Sequence, residues 1–469
     1  MSVLRVDNPA TGAVAAEVPL LDAAAALALV ERAAVAQRAW AAAPLAERIA
    51  LCEAFCVRAA EPARAEAAAR AVTAQMGKPL AEARREVATM LDRARAMIRL
   101  APAALADEPL PPKPGFRRFV GLEPLGVVVD IAAWNYPLLI AVNVVVPAVL
   151  AGNAVLLKHA RRTPLCADAF ADAFAAAGAP AGLVAALHAD HAVTAAVLAD
   201  ERVGGAFFTG SVRGGHEVYA TVARTRFVEV GLELGGKDPA YVAADCDFDF
   251  TVENVVDGAY YNAGQSCCAV ERVYVHRSIY ARFVEAAAAL VRAYRVGDPT
   301  DAATTLGPLA QPEAPAFLAA QLDQAVARGG RLASDTSILK YHDIVKSAGP
   351  GRFFPPALVA DAPHDCDLMR EESFGPVLGV MPVDSDDEAV RLMNDSRYGL
   401  TASVWTRDLE RGERLARRVD AGTVYVNRCD YLDPDLPWVG IKDSGRGCTL
   451  SAHGFAHLTR LKSYHLRAL

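Results

Sequence analysis

The strongest constraint on how this chain can fold is a change of rhythm at Gly126. From there, short apolar runs alternate with helical stretches: Gly126-Val127-Val128-Val129, Ala154-Val155-Leu156-Leu157-Lys158 and Gly204-Gly205-Ala206-Phe207-Phe208 each precede a helical pattern. Runs this apolar have to be covered on both faces, and strand–helix alternation delivers that as a parallel sheet flanked by helices. A second strand–helix series runs from Pro239 to about Val426. The fold class is therefore α/β. Thr163-Pro164 reads as an N-cap followed by a first-turn proline, Gly178 closes that helix, and Ser211 can cap a helix starting near Val212.

The residues before this region behave differently. Asp22 to Ala106 is alanine-rich with a helical period and reads as scaffold without chemistry. Pro109, Pro111, Pro112 and Pro114 end it, and Phe116 to Pro124 then reads as a strand in a projecting arm. Leu450 to Leu469 alternates polar and apolar residues as an edge strand would.

At 469 residues the chain exceeds a single core, so two or three structural units are expected. A net charge of -7 argues against nucleic-acid binding. Nine cysteines, an odd number without Cys-x-x-Cys pairs, read as reduced thiols of a cytoplasmic protein. No metal-ligand spacing occurs among them and the ten histidines. Val127 to Leu157 is the most apolar region, but Asp130, Asn135, Pro137, Asn143, Pro147 and Asn153 interrupt it, so it reads as buried core and not as a membrane span.

The chemistry concentrates in three short segments. Cys267 follows Gly264-Gln265-Ser266, and a thiol behind a tight Gly-Gln turn suggests a nucleophile held on a loop. Thirty-four residues earlier, Glu233 opens Glu233-Leu234-Gly235-Gly236-Lys237, a Gly-rich turn from which a carboxylate can act as base. Trp134-Asn135-Tyr136-Pro137 supplies a side-chain amide suited to an oxyanion. Together these motifs resemble the aldehyde dehydrogenase superfamily, non-acylating and NAD(P)-dependent.

That resemblance implies a Rossmann-type parallel-sheet cofactor domain (residues 1–107 and 125–232), an α/β catalytic domain (233–445) and a small β oligomerisation arm (108–124 and 446–469), assembled as a homodimer or homotetramer. It implies oxidation of a medium-sized aldehyde or semialdehyde to a carboxylic acid, with Cys267 as nucleophile, Glu233 as base and Asn135 as oxyanion donor. Cys268 is then a bystander facing the other way. NAD or NADP would be held by Trp134, Lys158, Arg161, Gly210, Ser211, Leu234, Glu372 and Phe374, although the chain has no Gly-x-Gly-x-x-Gly fingerprint. Arg161 stands where the family often has a glutamate, and a guanidinium can pair with a 2′-phosphate that a carboxylate would repel, so NADP is expected to be accepted.

Tyr136, Leu139, Ile140, Asn143, Tyr261 and Trp438 would line the substrate tunnel. No arginine pair stands out to claim a dicarboxylic semialdehyde, and Asp433 and Asp435 lie in a loop that could meet an amine. Two rivals remain on the sequence: an acylating relative that passes the thioester to coenzyme A, which the presence of Glu233 opposes, and a non-enzymatic protein on the same fold.

Overall fold

The computed structural model describes residues 2–334, 341 and 351–468. Four helices, Ala23–Ala42, Leu45–Ala59, Pro62–Met76 and Leu80–Ala104, account for the alanine-rich region. Local chemistry sets their limits. The Asp22 carboxylate accepts from the Ala25 N–H at 2.8 Å to start the first. Gly77 ends the third at φ +84°, where a β-carbon would also meet Pro308 at 2.7 Å.

Two sheets form the body. The first has six strands in the order Gly445–Arg446, Glu229–Glu233, Val203–Thr209, Val127–Ala132, Ala154–His159, Val184–Ala186. The last five run parallel, and the short Gly445–Arg446 strand joins them antiparallel. The second has seven strands in the order Arg331–Leu332, Ala357–Ala360, Val377–Val383, Val270–His276, Asp238–Val242, Thr401–Trp405, Thr423–Val426, with only the first antiparallel. Each sheet carries its own apolar core. Every residue of the Pro137–Leu150 helix is buried between the first sheet and the Leu80–Ala104 helix, which accounts for its unbroken hydrophobicity. Among the described residues no helix is long and apolar enough to cross a membrane.

The arm is a three-stranded antiparallel sheet. Thr459–Arg467 pairs with Phe116–Pro124 along nine residues, and Glu108–Pro109 pairs on the other side. The terminal segment is strand only from Thr459. Ala452–Leu458 is a 3-10 turn, because Phe455 and Leu458 bend inward to buried positions that an alternating strand could not give both.

One cap differs from its local signature. The helix after Thr163-Pro164 spans Leu165–Ala176, with Pro164 at the cap position and no cap from its own side chain. The first N–H is instead met by the Gln75 side-chain oxygen, 3.1 Å from the Leu165 nitrogen. Ser211 does cap Val212–Thr225, accepting from the Gly214 N–H at 3.2 Å.

Asn153 joins three parts of the first unit. Fully buried, it accepts from the Gly126 N–H at 3.0 Å and donates to the carbonyls of Ala148 at 3.2 Å and Leu458 at 2.9 Å. Asn153→Ala leaves those groups unpaired and should cost about 2–3 kcal/mol. Urea unfolding followed by fluorescence checks this, and an unchanged midpoint would remove the residue from the framework.

Candidate active site

Glu233 ends a strand of the first sheet, and Cys267 sits in the loop that enters Val270–His276 of the second. The loop has an unusual backbone: Asn262, Ala263 and Gly264 all take positive φ, at 53°, 56° and 67°. Gly264 is obligatory, since a β-carbon there would lie 2.2 Å from the Gly375 carbonyl oxygen. Gln265 and Asn262 brace the turn through amide-to-carbonyl bonds of 3.1 Å in both directions, and the Gln265 side-chain oxygen accepts from the Ala310 N–H at 2.8 Å. The Gly-Gln pair read in the sequence is thus a structural buttress beneath the thiol.

Asn135 is tied into the same loop through its backbone. Its carbonyl accepts from the Asn262 amide at 3.1 Å and from the Lys78 ammonium at 2.8 Å. Lys78 is ion-paired with buried Glu86, whose other oxygen takes the Leu138 N–H at 2.9 Å. Asn135 itself is 3% exposed, one residue before the cavity-lining Tyr136.

Cys267 and Glu233, both half-buried, open into one cavity of about 320 Å³. Tyr136, Leu139, Ile140, Asn143, Tyr261 and Trp438 all line it. Burial pushes the Glu233 carboxyl up to about 7, with the Thr449 hydroxyl, Arg93 and Thr209 opposing the rise.

Cys268 does not face away. It lines the same cavity, and its thiol donates to Asp430 at 3.0 Å, with Ser266 donating to the same carboxylate oxygen at 3.2 Å. The neighbouring Cys267 thiol, burial and the Asp430 charge push the Cys268 thiol well above the ordinary range. Asp430 is pushed up to about 7 by burial. It lies outside every motif singled out in the sequence.

The Leu80–Ala104 helix also contradicts its reading as plain scaffold. Arg85, Glu86, Thr89 and Arg93 line the cavity with Lys78 from the preceding turn, so two arginines are present where the sequence showed none. Arg85, Thr89 and Arg93 follow one another at intervals of four, which places them on one helical face and was the available signal. Asp435, by contrast, is exposed and paired with Arg99 at 2.6 Å.

The residues nominated for a dinucleotide make contacts of their own. Trp134 and Phe374 meet edge to face with ring centroids 5.3 Å apart. The Glu372 carboxylate accepts from the Gly236 N–H at 3.0 Å, and a β-carbon on Gly235 would come within 2.4 Å of it. Burial first, then the charge of Glu271, pushes Glu372 up to about 8. The Gly210 N–H donates to the Glu233 carbonyl at 3.0 Å, which fixes the turn carrying Ser211 at a helix N-terminus. Leu234 packs over Gly215, where a β-carbon would meet it at 2.7 Å.

Lys158 is buried, and its nearest acceptor among the described residues is the His159 carbonyl at 3.5 Å. Burial and the charge of exposed Arg161 bring it down to about 8. An ammonium without an ion-pair partner among the described residues, a helix N-terminus and a glycine-cleared carboxylate suit the phosphates and ribose of a nicotinamide dinucleotide. These residues fit that group.

A thiol that shares one cavity with a carboxyl group raised by burial, together with residues that fit a nicotinamide dinucleotide, marks a thiol-dependent dehydrogenase. The aldehyde dehydrogenase family model matches residues 2–464, and the chain belongs to that family. It is 37% identical over 408 residues to succinate-semialdehyde dehydrogenase [NADP(+)] 1 of Mycobacterium bovis, covering 86% of each chain. It is 37% identical over 457 residues to succinate-semialdehyde dehydrogenase [NADP(+)] of Deinococcus radiodurans, covering 97% of this chain and 93% of that one. Betaine aldehyde dehydrogenase from Staphylococcus aureus, solved with NAD+, superposes with a TM-score of 0.92 at 28% identity, covering 100% of this chain and 92% of that one.

Proposed function

We propose that this protein oxidises an aldehyde, with a short semialdehyde as the best fit, to the carboxylic acid with NAD or NADP. The observation that carries the reading is the shared cavity of Cys267 and Glu233. Cys267 as thiolate adds to the aldehyde carbon, and the Asn135 amide and the Cys267 N–H receive the developing alkoxide. The bound nicotinamide supplies the hydride acceptor. Glu233 then takes a proton from the water that cleaves the Cys267 thioester, releasing the acid and restoring the thiol. Glu233 weighs against transfer to coenzyme A, which needs no water activation. The semialdehyde reading draws on the two relatives named for that substrate.

The crevice residues Trp134, Lys158, Arg161, Gly210, Ser211, Leu234, Glu372 and Phe374 are proposed to hold the dinucleotide. Arg161 is the candidate 2′-phosphate contact because its guanidinium is exposed beside Lys158 and has no partner among the described residues. The division into cofactor domain (1–107, 125–232), catalytic domain (233–445) and arm (108–124, 446–469) remains a proposal; the two sheets favour it, although the Gly445–Arg446 strand returns to the first sheet. A homodimer or homotetramer is favoured by the arm, whose outer strand exposes Leu461 and Leu466 along an unpaired edge. Nine free cysteines favour a reducing compartment such as the cytoplasm.

Absorbance at 340 nm with a panel of aldehydes and either nucleotide tests the reaction; silence across the panel from folded, nucleotide-binding protein would sink it. Because Glu233 is held near 7, its base form grows as pH rises through that value, so hydrolysis-limited turnover should rise along a limb centred at about 7. Glu233→Gln should abolish that limb and slow turnover by roughly 10²–10⁴-fold, and an unchanged pH profile would count against the base assignment. Arg161→Glu should weaken NADP by about 10-fold or more and NAD much less. An equal loss for both would refute the phosphate contact. Light scattering should return a multiple of the chain mass, and a monomer at micromolar concentration would refute the arm's role.

A further inference from the structure

Most of the buried cations described have matched partners. Lys78 pairs with Glu86, Lys237 with Glu271 and Arg162 with Asp7. Arg272 donates to the carbonyls of Lys237, Leu392 and Met393. Lys158 is the first exception and belongs to the nucleotide crevice. Arg93 is the second. It is 6% exposed, pairs with no carboxylate among the described residues, and reaches only the Leu139 carbonyl at 3.4 Å and the Asn143 side-chain oxygen at 3.3 Å, both from one terminal nitrogen. Its Nε is buried without a partner. A guanidinium removed from water without an anion is unfavourable, and an unsatisfied buried group calls for a cause.

The cavity itself suggests that cause. Arg93 lines it with Cys267, and its charge acts on both thiols and on Glu233. The carboxylates there are largely taken: Glu86 by Lys78 and the Leu138 N–H, Asp430 by Ser266 and Cys268, Glu233 by Thr449. Asp257 is exposed at the rim, within the field of Arg85. The unanswered charge deep in the cavity is therefore positive.

We propose that Arg93 binds the carboxylate of the substrate, and so selects aldehydes that carry a carboxylate at the far end of a short chain. The inference rests on the dehydrogenase reading above. Cys267 and Arg93 line one cavity of about 320 Å³, so a short aldehyde held at the sulfur shares that confined space with the guanidinium. The Nη2 nitrogen, without a partner among the described residues, can donate a charge-assisted bond to a carboxylate. Asn143, which accepts from Nη1, holds the guanidinium in place, which makes it a positioning residue for this contact.

The test compares kcat/KM for 4-oxobutanoate, butanal and 4-aminobutanal, which share chain length and differ in terminal charge. The wild-type protein should prefer 4-oxobutanoate, and Arg93→Gln should lower the 4-oxobutanoate-to-butanal ratio by roughly 10- to 100-fold, chiefly through KM. Arg93→Lys should restore part of it, which a packing role would not do. Equal loss for both aldehydes, or a wild-type preference for butanal or 4-aminobutanal, would overturn the assignment.

A second measurement does not require a variant or turnover. Succinate should protect Cys267 of the wild-type protein from iodoacetamide, whereas succinamide should not; equal protection by the two would overturn the proposal. If no aldehyde, butanal included, reduces either nucleotide, the dehydrogenase reading fails, and the protection experiment still decides whether the cavity holds a carboxylate through Arg93.

Discussion

The peptide carbonyl of Asn135 is the junction on which the site depends. It receives the Lys78 ammonium from the turn before the Leu80–Ala104 helix and the Asn262 amide from the Cys267 loop. Lys78 is in turn held by Glu86, which also caps the start of the Pro137–Leu150 helix through the Leu138 N–H. Three segments from distant parts of the chain are thereby fixed to one another at a single buried point. Losing either member of the Lys78–Glu86 pair would leave an uncompensated charge, and the reacting loop would lose its reference to the first sheet. A thiol on a loop can be positioned to within catalytic tolerance only when such a shell holds it.

Electrostatics divide the interior into regions with different tasks. Around the thiol, burial raises two carboxyl groups toward neutrality, and only one of them, Glu233, stands without a thiol already bonded to it. Asp430 is committed to Cys268 and Ser266 and so holds the second thiol as a protonated neighbour of the first. Unpaired cations mark the two places where an anionic ligand would relieve buried charge: Lys158 in the nucleotide crevice and Arg93 in the substrate cavity. These charges favour the proposed assignment of Lys158 to a nucleotide site and of Arg93 to a substrate site.

Segments separated by hundreds of residues close this arrangement. Thr449, from the strand after Gly445–Arg446, bonds the Glu233 carboxylate, and the Gly445 backbone pairs directly beside Glu233. The segment from Gly445 to Thr449 is therefore part of the base's environment. Its Cys448 instead meets His457, which the Cys448 side chain and Glu229 together push up to about 9.

Much of this protein was determined by its sequence at short range. Strand–helix alternation, the Phe116–Pro124 strand, the Ser211 cap and the Gly-Gln turn before Cys267 follow from period and turn chemistry, although that strand finds its main partner only at Thr459–Arg467. The resemblance carried by three short motifs implied the side chains Tyr136, Leu139, Ile140, Asn143, Tyr261 and Trp438, which line the cavity. Tertiary structure alone decided the rest. Gln75 replaced Thr163 as a helix cap, Asp430 met the Cys268 thiol from 162 residues away, and an alanine-rich helix brought Arg93 into the cavity that Cys267 lines. Each of these depends on which polar group meets which after the apolar surfaces have packed. A linear pattern records the need for a partner, and only the packed chain determines its identity.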